Sequence, residues 1–347
     1  MIEETLVRLA TGQEVSDIHV RGAIEAVMGG KCSPCEIAQL LTGLHFRGET
    51  VDHYFGAAQA LRSGMTPIRT KHEIFVDTCG TGGDGSGTFN ISTASAIVTA
   101  AAGVPVAKHG NRAITSRSGS SDVLAELGVN IQASLPVVEK CLDELGLCFC
   151  FAPLYHGSMK HAAEVRKRLG FPTIFNAIGP LANPASAPFQ LIGVGKPHLR
   201  EPLAHALLKL GCQRGMVVWG TDGLDEISCC GATEVSLVEE GKVESLRWCP
   251  RDFGVEPVPL EQLKVSNSHE SATIIRELLS GEHGPAREIV SLNSAAAIWL
   301  TGKTSSLYEA VSLALKAIDS GNAYRLLQNL AHLSHQPESL SDSGGQP

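Results

Sequence analysis

Through residues 1–65 the apolar positions recur every three to four residues, and no two-residue alternation interrupts them. EETLVRLATG runs to a glycine stop, and SDIHVRGAIEAVMGG opens on a serine cap and closes on paired glycines. SPCEIAQLLTGLHFRG begins with Ser33-Pro34 and sets Ile37, Leu40, Leu41 and Leu44 on one face. A fourth segment starts at Glu49-Thr50 and passes through an alanine-rich run to Ser63-Gly64. The pattern predicts a small all-helical N-terminal domain over residues 1–70, with Met65–Lys71 and its Pro67 as the hinge.

Beyond residue 71 the period changes. EIFV (73–76), VPVA (104–107), LCFCFAP (147–153), FQLIGVG (189–195) and RGMVVWG (214–220) read as short buried strands. Helical segments separate them, among them LPVVEKCLDELG, a stretch from about Met159 to Leu169, and PHLREPLAHALLKLG. ATEVSLVEEGKVESLRW reads as a hairpin turning at Glu240-Gly241, and the remainder to about Leu333 reads as helical. This alternation predicts a larger α/β domain, residues 71–159 and 186–336, with a mostly parallel central sheet flanked by helices. Residues 337–347, nearly devoid of apolar side chains, predict a disordered tail. No internal repeat is visible.

The candidate chemistry lies between the first two strands. Gly80, Gly82, Gly83, Gly85 and Gly87 are too closely spaced for helix or strand. Asn90, Ser92 and Thr93 follow as candidate caps of a helix that Gly103 stops. Strand, glycine loop, helix and strand in succession aim backbone N–H groups and a helix N-terminus at one point, which makes an anion site. The second strand delivers Lys108, His109, Asn111 and Arg112 to the same end. A dinucleotide site needs an acid about 20 residues after the glycines, and none lies between Asp84 and Asp122. No Gly-Lys-Ser/Thr closes a nucleotide P-loop. A flexible linker fits poorly with regular segments abutting both ends. A phosphate-rich ligand remains.

Composition narrows the class further. The 347 residues are 43% hydrophobic and 18% charged with a formal charge of −8, an ordinary globule without the basic face that broad nucleic-acid binding needs. The start, MIEETLVRLA, lacks the basic and apolar regions of a secretory signal, and Ala94–Ala107, the longest uncharged stretch, is short for a membrane span. Ten cysteines include Cys32-Ser-Pro-Cys35, half of a zinc spacing that nothing completes, and the neighbours Cys229-Cys230. A reducing cytoplasm is the expectation.

Four motifs in this order, GTGGD (80–84), NIST (90–93), KHGNR (108–112) and SGSSDVLAELG (118–128), resemble anthranilate phosphoribosyltransferase, and the likeness runs from about Leu6 to about Leu333. The resemblance implies transfer of a phosphoribosyl group from phosphoribosyl pyrophosphate to anthranilate, in tryptophan biosynthesis. It implies donor contacts from Gly80, Gly83, Asp84, Thr88, Asn90, Ile91, Ser92 and Thr93. Further donor contacts come from Lys108, His109, Gly110, Asn111, Arg112, Ala113, Ile114, Thr115, Ser116 and Ser120. Each hydroxyl or amide among them reads equally as a cap or a loop hydrogen bond. Gly80, Asn111 and Arg166 match anthranilate contacts, the guanidinium suiting the carboxylate; Arg166 also reads as a solvated arginine beside Lys167 and Arg168. Ser92, Asp225 and Glu226 match a magnesium motif, implying two ions held with the pyrophosphate, whereas by themselves Asp225-Glu226 read as an exposed acidic turn. His109 is a candidate to stack or hydrogen-bond near the acceptor, and a candidate general base.

The resemblance also returns residues 160–185 to the helical domain and implies a homodimer through that domain. Two departures stand in the acceptor half: His156-Gly157-Ser158-Met159 where the family has His-Pro-Ala-Met, and Pro172 where an arginine is common. Three other readings share the architecture: a transferase with a different acceptor, a pyrimidine nucleoside phosphorylase, and a nucleic-acid-binding relative without activity. Arg166 and Asp225-Glu226 speak against the phosphorylase, and an acidic chain with GTGGD intact speaks against the nucleic-acid binder.

Overall fold

A computed structural model describes residues 1–112 and 119–337. Four helices come first: α1 (Ile2–Thr11), α2 (Asp17–Met28), α3 (Pro34–Arg47) and α4 (Val51–Ser63). Local chemistry explains their starts. Ser33 Oγ accepts the Glu36 N–H at 3.3 Å while the Glu36 carboxylate takes the Ser33 N–H at 2.7 Å, with Pro34 in the first turn. Thr50 caps α4 through the His53 N–H at 3.4 Å.

The sheet has seven strands in the order β3-β2-β1-β4-β5-β6-β7. They are β1 (Val76–Gly80), β2 (Val106–Gly110), β3 (Leu147–Phe151), β4 (Phe189–Gly193), β5 (Arg214–Gly220), β6 (Thr233–Glu239) and β7 (Lys242–Trp248). The first five pair in parallel, and the β6–β7 hairpin closes one edge antiparallel, turning at Glu240 and Gly241 with φ of 50° and 79°. The first two strands lie further along the chain than the apolar runs suggested. Glu73 and Ile74 fall outside β1, with Ile74 exposed, and Asp77 to Gly80 form the strand instead. β2 likewise runs on through Lys108 to Gly110. Ladder pairing with one neighbour, β4 for β1 and β3 for β2, decides these strands rather than side-chain hydrophobicity.

Alternate side chains of the sheet enter different cores. Leu191, Met216, Val218 and Leu237 join the core that contains α5 (Ile91–Ala101) and the C-terminal helices. Ile192, Val217 and Val238 join the other, which contains α2, α3 and α4 together with Ala162, Val165, Ile174, Phe175, Ile178 and Leu181. The N-terminal helices and part of 160–185 thus bury their apolar faces together, and Arg62 Nε donates to the Leu181 carbonyl at 2.7 Å. After the hairpin the chain is not uniformly helical: residues 249–266 are turns and short 3-10 pieces, and regular helix resumes at Ser268. All ten cysteines are free thiols. Among the described residues no helix is long and apolar enough to cross a membrane.

Candidate active site at the carboxyl ends of the strands

The strand order reverses direction at β1, which lies between β2 and β4, and ligands of open α/β sheets gather at the carboxyl ends beside such a point. A cleft of about 500 Å³ opens there. One wall is the loop after β1. Gly82 and Gly83 line the cleft and adopt consecutive left-handed conformations, φ 67° and 79°, which side chains rarely tolerate. The loop is held from outside by a segment without regular pattern: Phe89 N donates to Leu263 O, and Val265 N to Gly87 O, each at 2.9 Å.

The floor is electrostatic. Asp225 and Glu226, on the turn after β5, are half-buried and face inward. Asp225 Oδ2 accepts the Gly82 N–H at 3.0 Å, and Glu226 Oε1 accepts the Ser92 N–H at 3.1 Å in the first turn of α5. Both keep some exposure to the cleft, yet protein atoms surround them closely. Burial first, then the charge of Asp84, pushes Asp225 up to about 7. Burial and the Asp225 charge push Glu226 well above the usual carboxylate range. Lys108, 3% exposed, reaches the same floor, donating to Ser92 Oγ at 3.1 Å and to the Thr78 carbonyl.

Glycines make this convergence possible. A Cβ on Gly193, at the end of β4, would lie 1.5 Å from the Asp225 carbonyl oxygen, and one on Gly80 would lie 2.7 Å from Asp225 Oδ2. The glycine loop and the acidic turn therefore pack directly on strand backbone.

Two family models match the chain: "Glycosyl transferase family, helical bundle domain" over residues 3–65 and "Glycosyl transferase family, a/b domain" over residues 72–324. Anthranilate phosphoribosyltransferase of Acetivibrio thermocellus is 43% identical over 345 residues, covering 99% of this chain and all of that one. That of Symbiobacterium thermophilum is 45% identical, covering 95% and 96%. The chain belongs to the anthranilate phosphoribosyltransferase family. Solved structures agree. The Thermus thermophilus anthranilate phosphoribosyltransferase superposes with a TM-score of 0.90 at 40% identity, covering 96% of this chain and 99% of that one. The Saccharomyces cerevisiae anthranilate phosphoribosyltransferase in complex with PRPP and Mg gives 0.88 at 28% identity, covering 96% and 97%.

Of the residues expected in a phosphoribosyltransferase site, Gly80, Gly83, Asp84, Thr88, Asn90, Ile91 and Ser92 line the cleft from one side. Lys108 to Arg112 and Ser120 line it from another, and Asp225 and Glu226 form its floor. Three expectations sit differently. Thr93 is buried inside α5 at 1% exposure and is not among the lining residues. Neither Ser92 nor Thr93 caps that helix: Asn90 holds the cap position, and its Oδ1 takes a hydrogen bond from Ser271 Oγ at 3.1 Å. Ser120 begins the next helix rather than capping it; Gly119 precedes it, with its N–H on the Asp122 carboxylate at 3.2 Å. Ala113, Ile114, Thr115 and Ser116 lie outside the described residues.

Arg166 extends from the helix Lys160–Leu169, with its guanidinium carbon 5.3 Å from the centre of the Phe175 ring. It is half-buried and is not among the lining residues, whereas Thr173, Asn176 and Ala177, near Phe175 in sequence, are. His109 packs against His156, ring centres 5.3 Å apart. Burial and His156 push His109 down to about 3, a neutral ring at ordinary pH. Pro172 lines the cleft; Gly157 and Ser158 do not.

Sequence reasoning missed several lining residues. His45 and Glu49 come from the end of α3 and the loop before α4, and Lys196 and His198 from the loop after β4. Gly195 is pressed against the glycine loop, and a Cβ there would lie 2.8 Å from Asp84 N. The one available signal was the position of Lys196 just beyond a predicted strand's carboxyl end.

Proposed function

We propose that this cleft holds phosphoribosyl pyrophosphate between the glycine loop, Lys108 and the Asp225–Glu226 pair, with anthranilate on the side of Asn111 and Arg166. The chain transfers the phosphoribosyl group of 5-phospho-α-D-ribose 1-diphosphate to the amine of anthranilate and releases pyrophosphate, in L-tryptophan biosynthesis. The observation that carries the site assignment is the convergence of a glycine loop, a buried lysine and a half-buried acidic pair on one cleft.

As the bond from C1 to pyrophosphate breaks and the C1–N bond forms, negative charge grows on the leaving group and positive charge on the sugar. Backbone N–H groups of the loop and Lys108 answer the former without moving. The reacting amine loses its proton readily once bonded to carbon, and we assign His109 a packing and hydrogen-bonding role rather than that of a base. Two neighbouring carboxylates, raised by burial and by nearby carboxylate charge (Asp84 on Asp225, Asp225 on Glu226), fit a hard divalent cation that carboxylate and phosphate oxygens can share. Magnesium, when bound, neutralises the pyrophosphate; Asp225, Glu226 and Ser92 are the residues we place around it, and two ions is the count we propose. A homodimer through the N-terminal helices and a cytoplasmic location complete the reading.

The test is the loss of anthranilate fluorescence with phosphoribosyl pyrophosphate and magnesium. Loss in step with pyrophosphate release, abolished by chelator, is expected; tight magnesium-dependent donor binding without loss would keep the donor site and reject the acceptor. Arg166→Ala is expected to raise the anthranilate KM by about 10- to 100-fold, the loss of a charge-assisted pair, and to leave the donor KM within a factor of about three. Equal weakening of both substrates would remove Arg166 from the carboxylate.

A further inference from the structure

β1 and β2 are parallel neighbours, yet only Val76 and Val106 register them, whereas β2–β3 and β1–β4 pair along five residues each. Beyond that single pair the ladder forks, no further pairing joining the two strands although they run side by side. The fork opens at the mouth of the cleft, and side chains replace the missing ladder from both sides. Asp77, 1% exposed on β1, accepts the His109 N–H of β2 with Oδ1 at 3.0 Å. Lys108 of β2 crosses the other way and donates to the Thr78 carbonyl of β1. Asn183 lies beside the Asp77 carboxylate and ties β2 down from behind, its Nδ2 donating to Ala107 O at 2.8 Å. Asp77 touches no part of the cleft, and none of the roles assigned above includes it.

We infer that Asp77 is a positioning residue: by taking the His109 N–H in place of a strand partner it sets the width of the β1–β2 fork, and with it the reach of Lys108 and His109 into the donor site. The physical reason is the completeness of buried backbone pairing. A fork in the middle of a sheet leaves N–H groups unsatisfied, and a carboxylate one residue along the neighbouring strand is long enough to reach one without closing the gap. The contribution we assign is the hydrogen bond: the Lys108 charge is felt at Asp77, but its ammonium makes its own contacts with Thr78 O and Ser92 Oγ. Asparagine retains an acceptor at that position; alanine does not.

This inference rests on the phosphoribosyl-transfer reading. The experiment therefore begins with the wild-type chain, whose failure to consume anthranilate would sink that reading and not this one. Asp77→Ala is expected to raise the KM for phosphoribosyl pyrophosphate and lower kcat, each by about tenfold, the equivalent of one lost buried hydrogen bond. Asp77→Asn is expected to stay within about threefold on both. Amide hydrogen exchange of the peptide spanning 104–112 should quicken in Asp77→Ala and not in Asp77→Asn. Should the alanine variant not fold, Asp77→Ser, too short to reach the His109 N–H, replaces it. A folded alanine or serine variant with wild-type kinetics would overturn the assignment. So would an asparagine variant as impaired as alanine, because charge would then be the contribution.

Discussion

Asp225→Asn combined with Glu226→Gln is expected to lower turnover by about 10³-fold or more, from loss of preorganised charge at the pyrophosphate, and at the same time to stabilise the metal-free protein. The two effects share one cause. Folding places two carboxylates against each other at the floor of a cleft, and both resist ionisation there. The sign follows from linkage. In the unfolded chain Asp225 releases its proton near 3.8, whereas in the folded chain it does so near 7. Between those values the folded state holds more protons, so the stability of the metal-free protein falls as pH rises through that window. Ion binding needs the ionised pair, so affinity for magnesium with donor should rise over the same window. The neutral double variant escapes both dependences. In chelator at pH 8 its melting temperature should exceed wild type by about 2 °C or more, as relief of roughly 1 kcal/mol predicts. Melting curves at pH 5 and pH 8, with and without magnesium and donor, check it. A variant that melts lower than wild type in chelator, or that retains turnover, would place the metal elsewhere.

Gly193→Ala is expected to be the most damaging single methyl group in the sheet. Its Cβ would overlap the Asp225 carbonyl, at 1.5 Å, and that atom is backbone, so no rotamer change relieves the clash. The acidic turn must lift off β4. Turnover should fall by more than about 100-fold and stability by about 1–3 kcal/mol, the usual range for overpacking. Gly157→Ala is the control. A Cβ there meets nothing within 4 Å and the backbone is not left-handed, so kinetics and melting should stay at wild-type values. Steady-state rates and thermal melts of both variants decide the matter; wild-type behaviour of Gly193→Ala would mean the turn is not seated on the strand.

Much of this was legible in the chain. Helical periodicity, the Ser33-Pro34 start and the Glu240-Gly241 turn act over a few residues, so they located α3 and the β6–β7 hairpin directly. The glycine cluster announced an anion loop because few other structures tolerate five glycines in eight residues. KHGNR and the Asp225-Glu226 pair stood at predicted strand ends, where ligands gather.

What tertiary structure alone decided are pairings between distant residues. Apolar pattern placed the first strand at 73–76, but pairing with β4 draws Asp77 to Gly80 into it, polar residues and glycine included. An acidic dipeptide looks the same in a solvated turn and in a cleft. Only seating on Gly193 and Gly80, more than thirty residues away in one case and well over a hundred in the other, turns Asp225 and Glu226 inward and raises their proton affinity. The hold of residues 263–265 on the glycine loop, the entry of His45 and Glu49 into the wall, and the seating of Arg166 on Phe175 instead of on the cleft lining have the same origin. Periodicity and motif report what a residue can do locally; burial and charge at a site are set by whatever the fold packs against it.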